Sequence, residues 1–143
     1  MQPLPRTPHR QAFLDRFAPD AIQRLLWYFE PVKIEPGETV IREGDIDHSL
    51  FIVLRGHFAI QRQGRVIHQL EAGHVFGELA FFDAMKRIAS VVARDEAEVL
   101  RLTRSRFDDM VRRDPKIACE LALEVGRALS ERFRKSEESH ARG

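Results

Sequence analysis

The stretch at residues 50–70 reads LFIVLRGHFAIQRQGRVIHQL and holds three short apolar runs separated by glycine-bearing turns. Within the runs, apolar residues either follow one another or alternate with polar ones, which is typical of β-strands. Gly56 separates the first two runs, and Gln63-Gly64-Arg65 predicts a hairpin turn between the second and the third. The stretch therefore predicts three consecutive antiparallel strands.

Glycine spacing extends this pattern over the middle of the chain. Six glycines, from Gly37 to Gly77, recur at steps of four to twelve residues, which is the spacing of short strands joined by tight turns. Two more β-rich stretches follow at 88–93 and 97–102, with a turn between them. We therefore expect an antiparallel sandwich or barrel.

Helical patterns flank this β-rich centre. On the N-terminal side, a short amphipathic piece at 10–17 precedes a predicted helix at 19–29, which Pro31 ends. On the C-terminal side, Asp114-Pro115 predicts the start of a long helix. Its apolar stripe consists of Ile117, Leu121, Val125, Leu129 and Phe133. About 20 helical residues span roughly 30 Å, so part of the stripe is expected to meet something beyond its own core.

Composition and charge limit the function classes. The 143 residues are 43% hydrophobic and 31% charged, which fits one globular domain and is too apolar for a disordered chain. The 23 Lys and Arg against 22 Asp and Glu argue against general binding to nucleic acid or an anionic membrane. The single cysteine, Cys119, can form no internal disulfide, so we expect a reducing, cytoplasmic location. No signal peptide or membrane-spanning segment is predicted.

The segment at residues 73–91, GHVFGELAFFDAMKRIASV, is the one that predicts chemistry. Gly77 opens a short helical turn, and Arg87 follows at the start of the next strand. Free amides at a helix start, together with a guanidinium, can bind a phosphate, and the missing Cβ of Gly77 allows close approach. Glu78 would repel a phosphate unless it accepted a hydrogen bond from a neutral hydroxyl. The pair of Glu78 and Arg87 therefore indicates a sugar phosphate of low charge.

This segment resembles the phosphate-binding cassette of the cyclic-nucleotide-binding domain family, where FGE-(L/I)-A precedes a short helix and then (P)-R-x-A-(T/S)-V. The matching stretches here are FGELA at 76–80 and RIASV at 87–91. The resemblance continues through PGETVI at 36–41, EGD at 43–45 and SLFIVLRG at 49–56, and it covers roughly residues 13–133. It is similar to both the catabolite-activator type and the protein kinase A regulatory-subunit type of domain.

The resemblance implies an α+β fold: an antiparallel β-roll, of the double-stranded β-helix or jelly-roll kind, flanked by N-terminal and C-terminal helices. It also implies roles for the cassette residues. Arg87 would hold the exocyclic oxygens of a cyclic phosphate, helped by the amides of Leu79 and Ala80 and the hydroxyl of Ser90. Glu78 would accept a hydrogen bond from the ribose 2′-hydroxyl, beside Gly77.

The base is expected to meet apolar side chains, among them Phe76 and the C-terminal helix. In the family that helix acts as a lid, which would place Leu129 and Phe133 near the ligand. Members selective for cGMP often carry threonine after the cassette arginine, whereas this chain has Ile88. The resemblance therefore favours cAMP as the ligand, with cGMP as the alternative. Lys86 departs from the family, in which proline is common before the arginine.

Two other function classes stay open. One is a ligand-free interaction or dimerisation module of the same fold, which would use the apolar stripe of the long helix. The other is a metal-binding cupin enzyme, although the HxH pair that anchors a cupin is missing. It stays open because four histidines lie among the strands, namely His48, His57, His68 and His74. We find no nucleophile–base pair, paired carboxylates or triphosphate loop, so neither an enzyme nor a cofactor or metal is expected.

The predicted layout is one functional domain at 10–135. Its parts are N-terminal helices at 10–30, a β-roll at 31–102 with the cassette at 73–91, and C-terminal helices at 103–135, between a flexible tail at 1–9 and a frayed tail at 136–143. Since little chain remains after the long helix, we expect a stand-alone or excised receptor domain with no nucleic-acid or membrane binding of its own. A second copy of the chain or an effector protein is the expected partner, through the helix at 115–135.

Overall fold

The computed structural model describes residues 12–142, with side chains described up to residue 138. The predicted flexible tail at 1–9 lies outside the described residues. The described part of the chain forms a 3-10 turn at Phe13–Arg16, four helices and eight strands. The elements are α1 (Pro19–Leu26), β1 (Glu30–Ile34), β2 (Thr39–Ile41), β3 (Leu50–Arg55), β4 (Phe58–Arg62), β5 (Arg65–Leu70), β6 (Val75–Phe76), α2 (Glu78–Asp83), β7 (Ser90–Ala93), β8 (Ala97–Leu102), α3 (Arg104–Arg113) and α4 (Pro115–Arg142). Within the described part, none of these helices has the length and apolar character needed to span a bilayer.

The strands form two four-stranded antiparallel sheets. The helix-facing sheet has the order β1-β8-β3-β6, and the outer sheet has the order β2-β7-β4-β5. The predicted hairpin joins β4 and β5, where Arg62 pairs with Arg65. Gln63 and Gly64 between them have φ of 52° and 79°, the left-handed values that suit a two-residue turn to the twist of the strands. This β-roll between flanking helices confirms the predicted fold class.

Strand β3 explains why the sequence between residues 50 and 53 is continuously apolar. Successive side chains of a strand point to opposite faces of its sheet. Leu50 and Ile52 therefore pack with the helices, in what we term the helical core, whereas Phe51 and Val53 pack between the sheets, in the inter-sheet core. Each such buried side chain contributes about 1.5–3 kcal/mol. The helix-facing sheet is thus buried on both faces.

Two predicted helix boundaries differ from the structure. Helix α1 ends at Leu26 rather than at Phe29, because the amides of Tyr28 and Phe29 close a tight last turn onto carbonyls three residues back. Strand β1 then begins at Glu30. Helix α4 continues to Arg142, so the segment after 135 that was expected to be frayed is helical through that residue.

The predicted stripe on α4 is buried only in its first half. Ile117 and Val125 are buried, whereas Leu129 is half-buried and Phe133 is 64% exposed. Each i, i+4 step turns about 40° around a helix of 3.6 residues per turn, so four steps place Phe133 roughly 160° away from Ile117. The buried face passes through Ala128 instead.

Asp114 ties α1 to the junction between α3 and α4. Its Oδ2 accepts a hydrogen bond from the Tyr28 hydroxyl at 3.0 Å, and its Oδ1 accepts one from Arg24. The bond from Arg24, helped by that from Tyr28, holds the pKa of Asp114 below its ordinary value. Burial, and then the bond to Asp114, raise the pKa of Tyr28. The start of α4 is therefore fixed to the N-terminal segment.

The variant Asp114→Asn is expected to melt a few degrees below the wild type at pH 7. A lowered folded-state pKa means that the carboxylate stabilises the fold above the unfolded pKa of about 3.9, and that this contribution is lost as pH falls through the folded pKa. The difference in melting temperature should therefore shrink in acid. Asp108→Asn, which removes an exposed ion pair to Arg104 within α3, is the control and should melt like the wild type. Equal melting of Asp114→Asn and the wild type at pH 7 would contradict this role.

Candidate functional site

A cavity of about 210 Å³ lies between the cassette and the outer sheet. The outer sheet contributes Ile41, Ile60, Ile67 and Val91 to its walls. Seven of the predicted site residues also line it, and these are Phe76, Gly77, Glu78, Leu79, Ala80, Arg87 and Ile88. The structure thus brings most of the predicted site together around one cavity.

Arg87 is held in place by backbone carbonyl groups. Its Nη1 donates to the Gly77 oxygen at 2.8 Å and its Nη2 to the Ser49 oxygen at 2.6 Å, with Asp47 Oδ2 at 3.4 Å. The side chain is only 4% exposed, and Nε has no hydrogen-bond partner among the described residues. Burial lowers the pKa of Arg87, whereas the negative charges of Asp47 and Glu78 partly raise it again. A buried guanidinium that lines a cavity is suited to an anionic ligand.

Gly77 connects β6 to the cassette helix α2 in a backbone conformation that favours glycine. Its φ is +84°, in the left-handed region. A Cβ at this position would lie 2.9 Å from the Ser49 oxygen and 3.1 Å from Nη1 of Arg87. The absent side chain is therefore what allows Arg87 to reach the carbonyl of residue 77. The amides at the start of α2, those of Leu79 and Ala80, have no carbonyl partner within the helix.

Glu78 is buried beside this arginine, with a side chain only 8% exposed. Its Oε1 accepts a hydrogen bond from Nη2 of Arg132, which comes from α4 and also lines the cavity. Sequence reasoning missed Arg132. The sequence feature that could have revealed Arg132 is its position seven residues after the apolar Val125. Seven residues are about two helical turns, so Arg132 lies on the same face of α4 as the buried Val125.

Ser90, which was predicted to assist the phosphate, does not reach the cavity. It lies in β7 between Ala89 and Val91, both of which line the cavity, and strand alternation turns its side chain to the opposite face. Its hydroxyl accepts a hydrogen bond from the amide of Glu43 at 2.9 Å. In this strand the cavity is lined by Val91, and just before it by Ala89; sequence reasoning singled out neither.

The two predicted lid residues also lie outside this cavity. Leu129 and Phe133 line a neighbouring cavity along α4, and Leu79 of α2 borders both cavities. Because Phe133 is largely exposed, it does not cover the cassette in this arrangement. Its position follows from the rotation of the i, i+4 stripe around the helix.

The mouth of the cavity is apolar. Leu79, Met85 and Ile88 line it while remaining between 44% and 65% exposed, and Ile67 from β5 adds a fourth exposed apolar side chain. Deeper in, Phe76 stacks on Phe51 with ring centroids 5.0 Å apart. None of the described residues that line the cavity carries a hydroxyl group. The cavity therefore combines a charged end with an apolar end.

A cupin metal centre would need histidines and carboxylates that converge. Among the described residues, no three His, Cys, Asp or Glu side chains are grouped in a way that could hold a metal ion. His57 instead contacts Asp95, with Nδ1 2.7 Å from Oδ2, and Nδ1 of His74 accepts from the amide of Glu71. Both histidines are therefore bonded locally. His57 lies in the turn before β4, and His74 lies in the turn before β6.

Comparisons with known proteins point to one family. The family model described as "Cyclic nucleotide-binding domain" matches residues 31–114, more than half of the chain. The chain is 32% identical over 119 residues to the cyclic AMP receptor protein of Thermus thermophilus, covering 80% of this chain and 55% of that protein. It is 34% identical over 100 residues to cGMP-dependent protein kinase, isozyme 1, of Drosophila melanogaster, covering 69% of this chain and 13% of the kinase.

A solved structure shows the same fold. A cyclic nucleotide-binding domain from Methylobacillus flagellatus superposes with a TM-score of 0.81 at 24% identity, covering 86% of this chain and 72% of that one. The chain thus spans about half the length of the bacterial receptor and a small part of the kinase. With a matching family model over most of the β-roll and a cassette built around Arg87 and Glu78, the chain belongs to the cyclic nucleotide-binding domain family and is a regulatory, nucleotide-binding domain.

Proposed function

We propose that this domain is a reversible receptor for cAMP, that it catalyses no reaction, and that it needs no cofactor. The observation that carries the proposal is the buried guanidinium of Arg87, whose Nε has no partner among the described residues. This guanidinium lines the same cavity as the buried carboxylate of Glu78. One fixed cation and one fixed acceptor suit a ligand with a single negative charge and a neutral hydroxyl nearby.

The phosphate is proposed to bind at the charged end of the cavity. Arg87 would donate to the exocyclic oxygens, and the free amides of Leu79 and Ala80 at the start of α2 would donate to the same group. Lys86 also lines the cavity and adds a positive charge to its lining. Glu78 would accept from the ribose 2′-hydroxyl, which adds no charge beside the phosphate.

The base is proposed to lie against the apolar mouth formed by Ile67, Met85 and Ile88. These side chains are exposed in a contiguous patch, and covering such a patch with a flat purine removes apolar surface from water. Ile88 stands where cGMP-selective members of the family often have threonine. The absence of any hydroxyl group among the described lining residues supports adenine over guanine, because a hydroxyl is the group that would bond the guanine amino group.

Calorimetric titration with cAMP, cGMP and 5′-AMP tests this proposal. We expect cAMP to bind with a Kd at least about tenfold below that of cGMP, which corresponds to about 1.4 kcal/mol. We expect 5′-AMP not to bind measurably, because its second phosphate charge and open ring do not fit a single arginine. At a hundredfold excess over its Kd, cAMP should stabilise the domain by about 2.7 kcal/mol in thermal melting.

Each other outcome has a definite meaning. A lower Kd for cGMP would refute the assignment of cAMP. Failure of all three nucleotides to bind or to stabilise the domain would refute the receptor proposal and favour the ligand-free interaction module.

The proposal includes a partner for α4 in the cytoplasm, where cAMP is used as a signal. Leu123 and Phe133 are 54% and 64% exposed on this helix, on faces that the domain's own core does not cover. Either a second copy of the chain or an effector protein could cover them, and light scattering with and without cAMP distinguishes the two. Because the near-neutral charge offers no broad basic surface, we propose no direct contact with nucleic acid or membrane.

A further inference from the structure

Trp27, the single tryptophan of the chain, lies on the surface where α1 ends. It is 70% exposed, whereas Tyr28 and Phe29, which follow it, are buried. Indole is the largest apolar side chain, so leaving it in water forgoes the stabilisation that burial would give. One exposed apolar residue means little by itself, but Trp27 lies among arginines.

Two of these arginines come from α3 and lie close to the end of α1. Nη2 of Arg106 donates to the Trp27 carbonyl oxygen at 3.0 Å, and the guanidinium lies over the Tyr28 ring, 5.4 Å from its centroid. Burial and Asp114 raise the pKa of Tyr28, whereas the positive charges of Arg113 and Arg106 act in the opposite direction. Both guanidinium groups are therefore near that ring.

Two further arginines extend the positive surface. Arg24 precedes Trp27 by about one turn on α1, and Arg112 is next to Arg113 on α3. We refer to these residues together as the Trp27 surface, which consists of Arg24, Trp27, Arg106, Arg112 and Arg113.

The carboxylates that pair with these arginines are less exposed than the arginines themselves. Arg24 pairs with Asp114, and Arg106 and Arg112 both pair with Asp109. The three arginine side chains are between 42% and 69% exposed, but the two aspartates are only 20% and 31% exposed. Two such carboxylates against four guanidinium groups leave a positive charge, and the guanidinium groups are what face the solvent.

We propose that the Trp27 surface binds an acidic segment of another protein, whose carboxylates contact the arginines and whose apolar side chain packs on the indole. Tryptophan and arginine are among the residues that most often dominate the binding energy of protein interfaces. Arg106 is already held by the Trp27 carbonyl and the Tyr28 ring, so little of its side-chain freedom is lost on binding. The surface is separate from the cassette, because none of its five residues lines the cavity.

A protein segment suits this surface better than nucleic acid does. Duplex DNA presents closely spaced phosphates, and its binding is driven by many cations that each neutralise one of them. On the Trp27 surface the cations are few, and Asp109 and Asp114 lie between them and would repel a phosphate backbone. Carboxylates spaced along a peptide can meet individual guanidinium groups, which bind carboxylates in a bidentate manner.

The test uses the whole chain and its intrinsic fluorescence, which reports on Trp27 alone because the chain has one tryptophan. The probe is a panel of short capped peptides in which half of the positions are glutamate and the others vary among leucine, valine and phenylalanine. Binding would move the indole from water into an apolar contact, so we expect at least one peptide to shift its emission to shorter wavelengths. The shift should need more peptide as salt is raised, and the same peptide with glutamine for glutamate should cause none.

Variants tested by calorimetry with the responding peptide locate the site. Trp27→Ala should raise the Kd more than about tenfold, yet melt like the wild type because the side chain is largely exposed. The double variant Arg112→Gln, Arg113→Gln should also raise the Kd about tenfold. Its matched control is Arg62→Gln, Arg65→Gln, which removes the same charge from exposed positions of the β4–β5 hairpin and should bind like the wild type.

Each contrary result overturns the proposal. They are no emission shift with any acidic peptide, equal binding of the glutamine peptide, unchanged affinity in Trp27→Ala, and an equal loss in the hairpin control, which would indicate attraction to net charge alone. An emission shift at lower concentrations of duplex DNA than of any peptide would make the surface a nucleic-acid contact instead. Because the peptides are titrated without nucleotide, these outcomes are independent of whether the domain binds cAMP.

Discussion

Replacing Arg87 by alanine is expected to raise the Kd for cAMP by more than about a hundredfold. Hydrogen bonds to a charged group contribute about 1.5–3 kcal/mol each, and a guanidinium can donate two of them to one phosphate. A loss of about 3–6 kcal/mol corresponds to a factor of at least a hundred in Kd. Calorimetric titration of the variant measures this directly, and an affinity equal to that of the wild type would contradict the site.

Two neighbouring changes make this experiment specific. Lys86→Ala removes a positive charge from the adjacent position, where the side chain is exposed, and should weaken binding only slightly. Arg87→Lys keeps the charge but loses the planar donor fork, so its Kd should lie between those of the wild type and Arg87→Ala. The buried carbonyl groups of Ser49 and Gly77 also lose their donor in Arg87→Ala, at a cost of about 1–3 kcal/mol, so melting must be measured alongside binding.

Gly77→Ala is expected to lose both stability and nucleotide binding. A residue with a Cβ in the left-handed region costs roughly 1–2 kcal/mol. At this position the new Cβ would also press on the Ser49 carbonyl at 2.9 Å and on Nη1 of Arg87 at 3.1 Å. Relief of that crowding would move the guanidinium away from its two carbonyl partners. We therefore expect the Kd of the folded variant for cAMP to rise at least about tenfold, in addition to its lower free energy of unfolding.

Gly37→Ala is the matched control, because its φ of +83° is nearly the same as that of Gly77 and a Cβ there would meet no atom within 4 Å. Chemical denaturation of Gly37→Ala should show the backbone cost alone, with cAMP binding unchanged. Denaturation and titration of Gly77→Ala should show a larger loss in both. If the two variants behaved alike, crowding at the cassette would have no part in the need for glycine.

The fold was largely predictable because the deciding patterns are local. The runs between residues 50 and 70 are short, apolar and bounded by glycine-bearing turns, and the turn at Gln63 and Gly64 needs only two residues that accept positive φ. The cassette residues were predictable for a related reason, since Gly77, Glu78 and Arg87 lie within one short segment. Helix α2 and the loop that leads to β7 bring them near one another, and the Ser49 carbonyl then holds the guanidinium of Arg87.

The placements that the sequence did not reveal depend on which way a side chain faces. Ser90 is next to cavity residues in sequence, yet strand alternation directs its hydroxyl to the amide of Glu43. Phe133 follows the apolar stripe at i, i+4 spacing, yet that spacing drifts around the helix and leaves the ring exposed. Arg132 has the charge expected of a solvent-facing residue, and only its place on the buried face reveals its contact with Glu78. Such orientations depend on tertiary packing that a single sequence does not state.

The helix-facing sheet, buried on both faces, acts as a partition through the molecule. On one side lie the buried residues that α4 shares with α1 and α3, and on the other lie Phe51, Phe76 and Val91, which support the walls of the cavity. Segments that share few buried side chains can open as separate cooperative units, each with its own free energy. In a molecule divided in this way the helices could loosen at the modest cost of a sub-global opening, while the side chains packed between the two sheets stay in place.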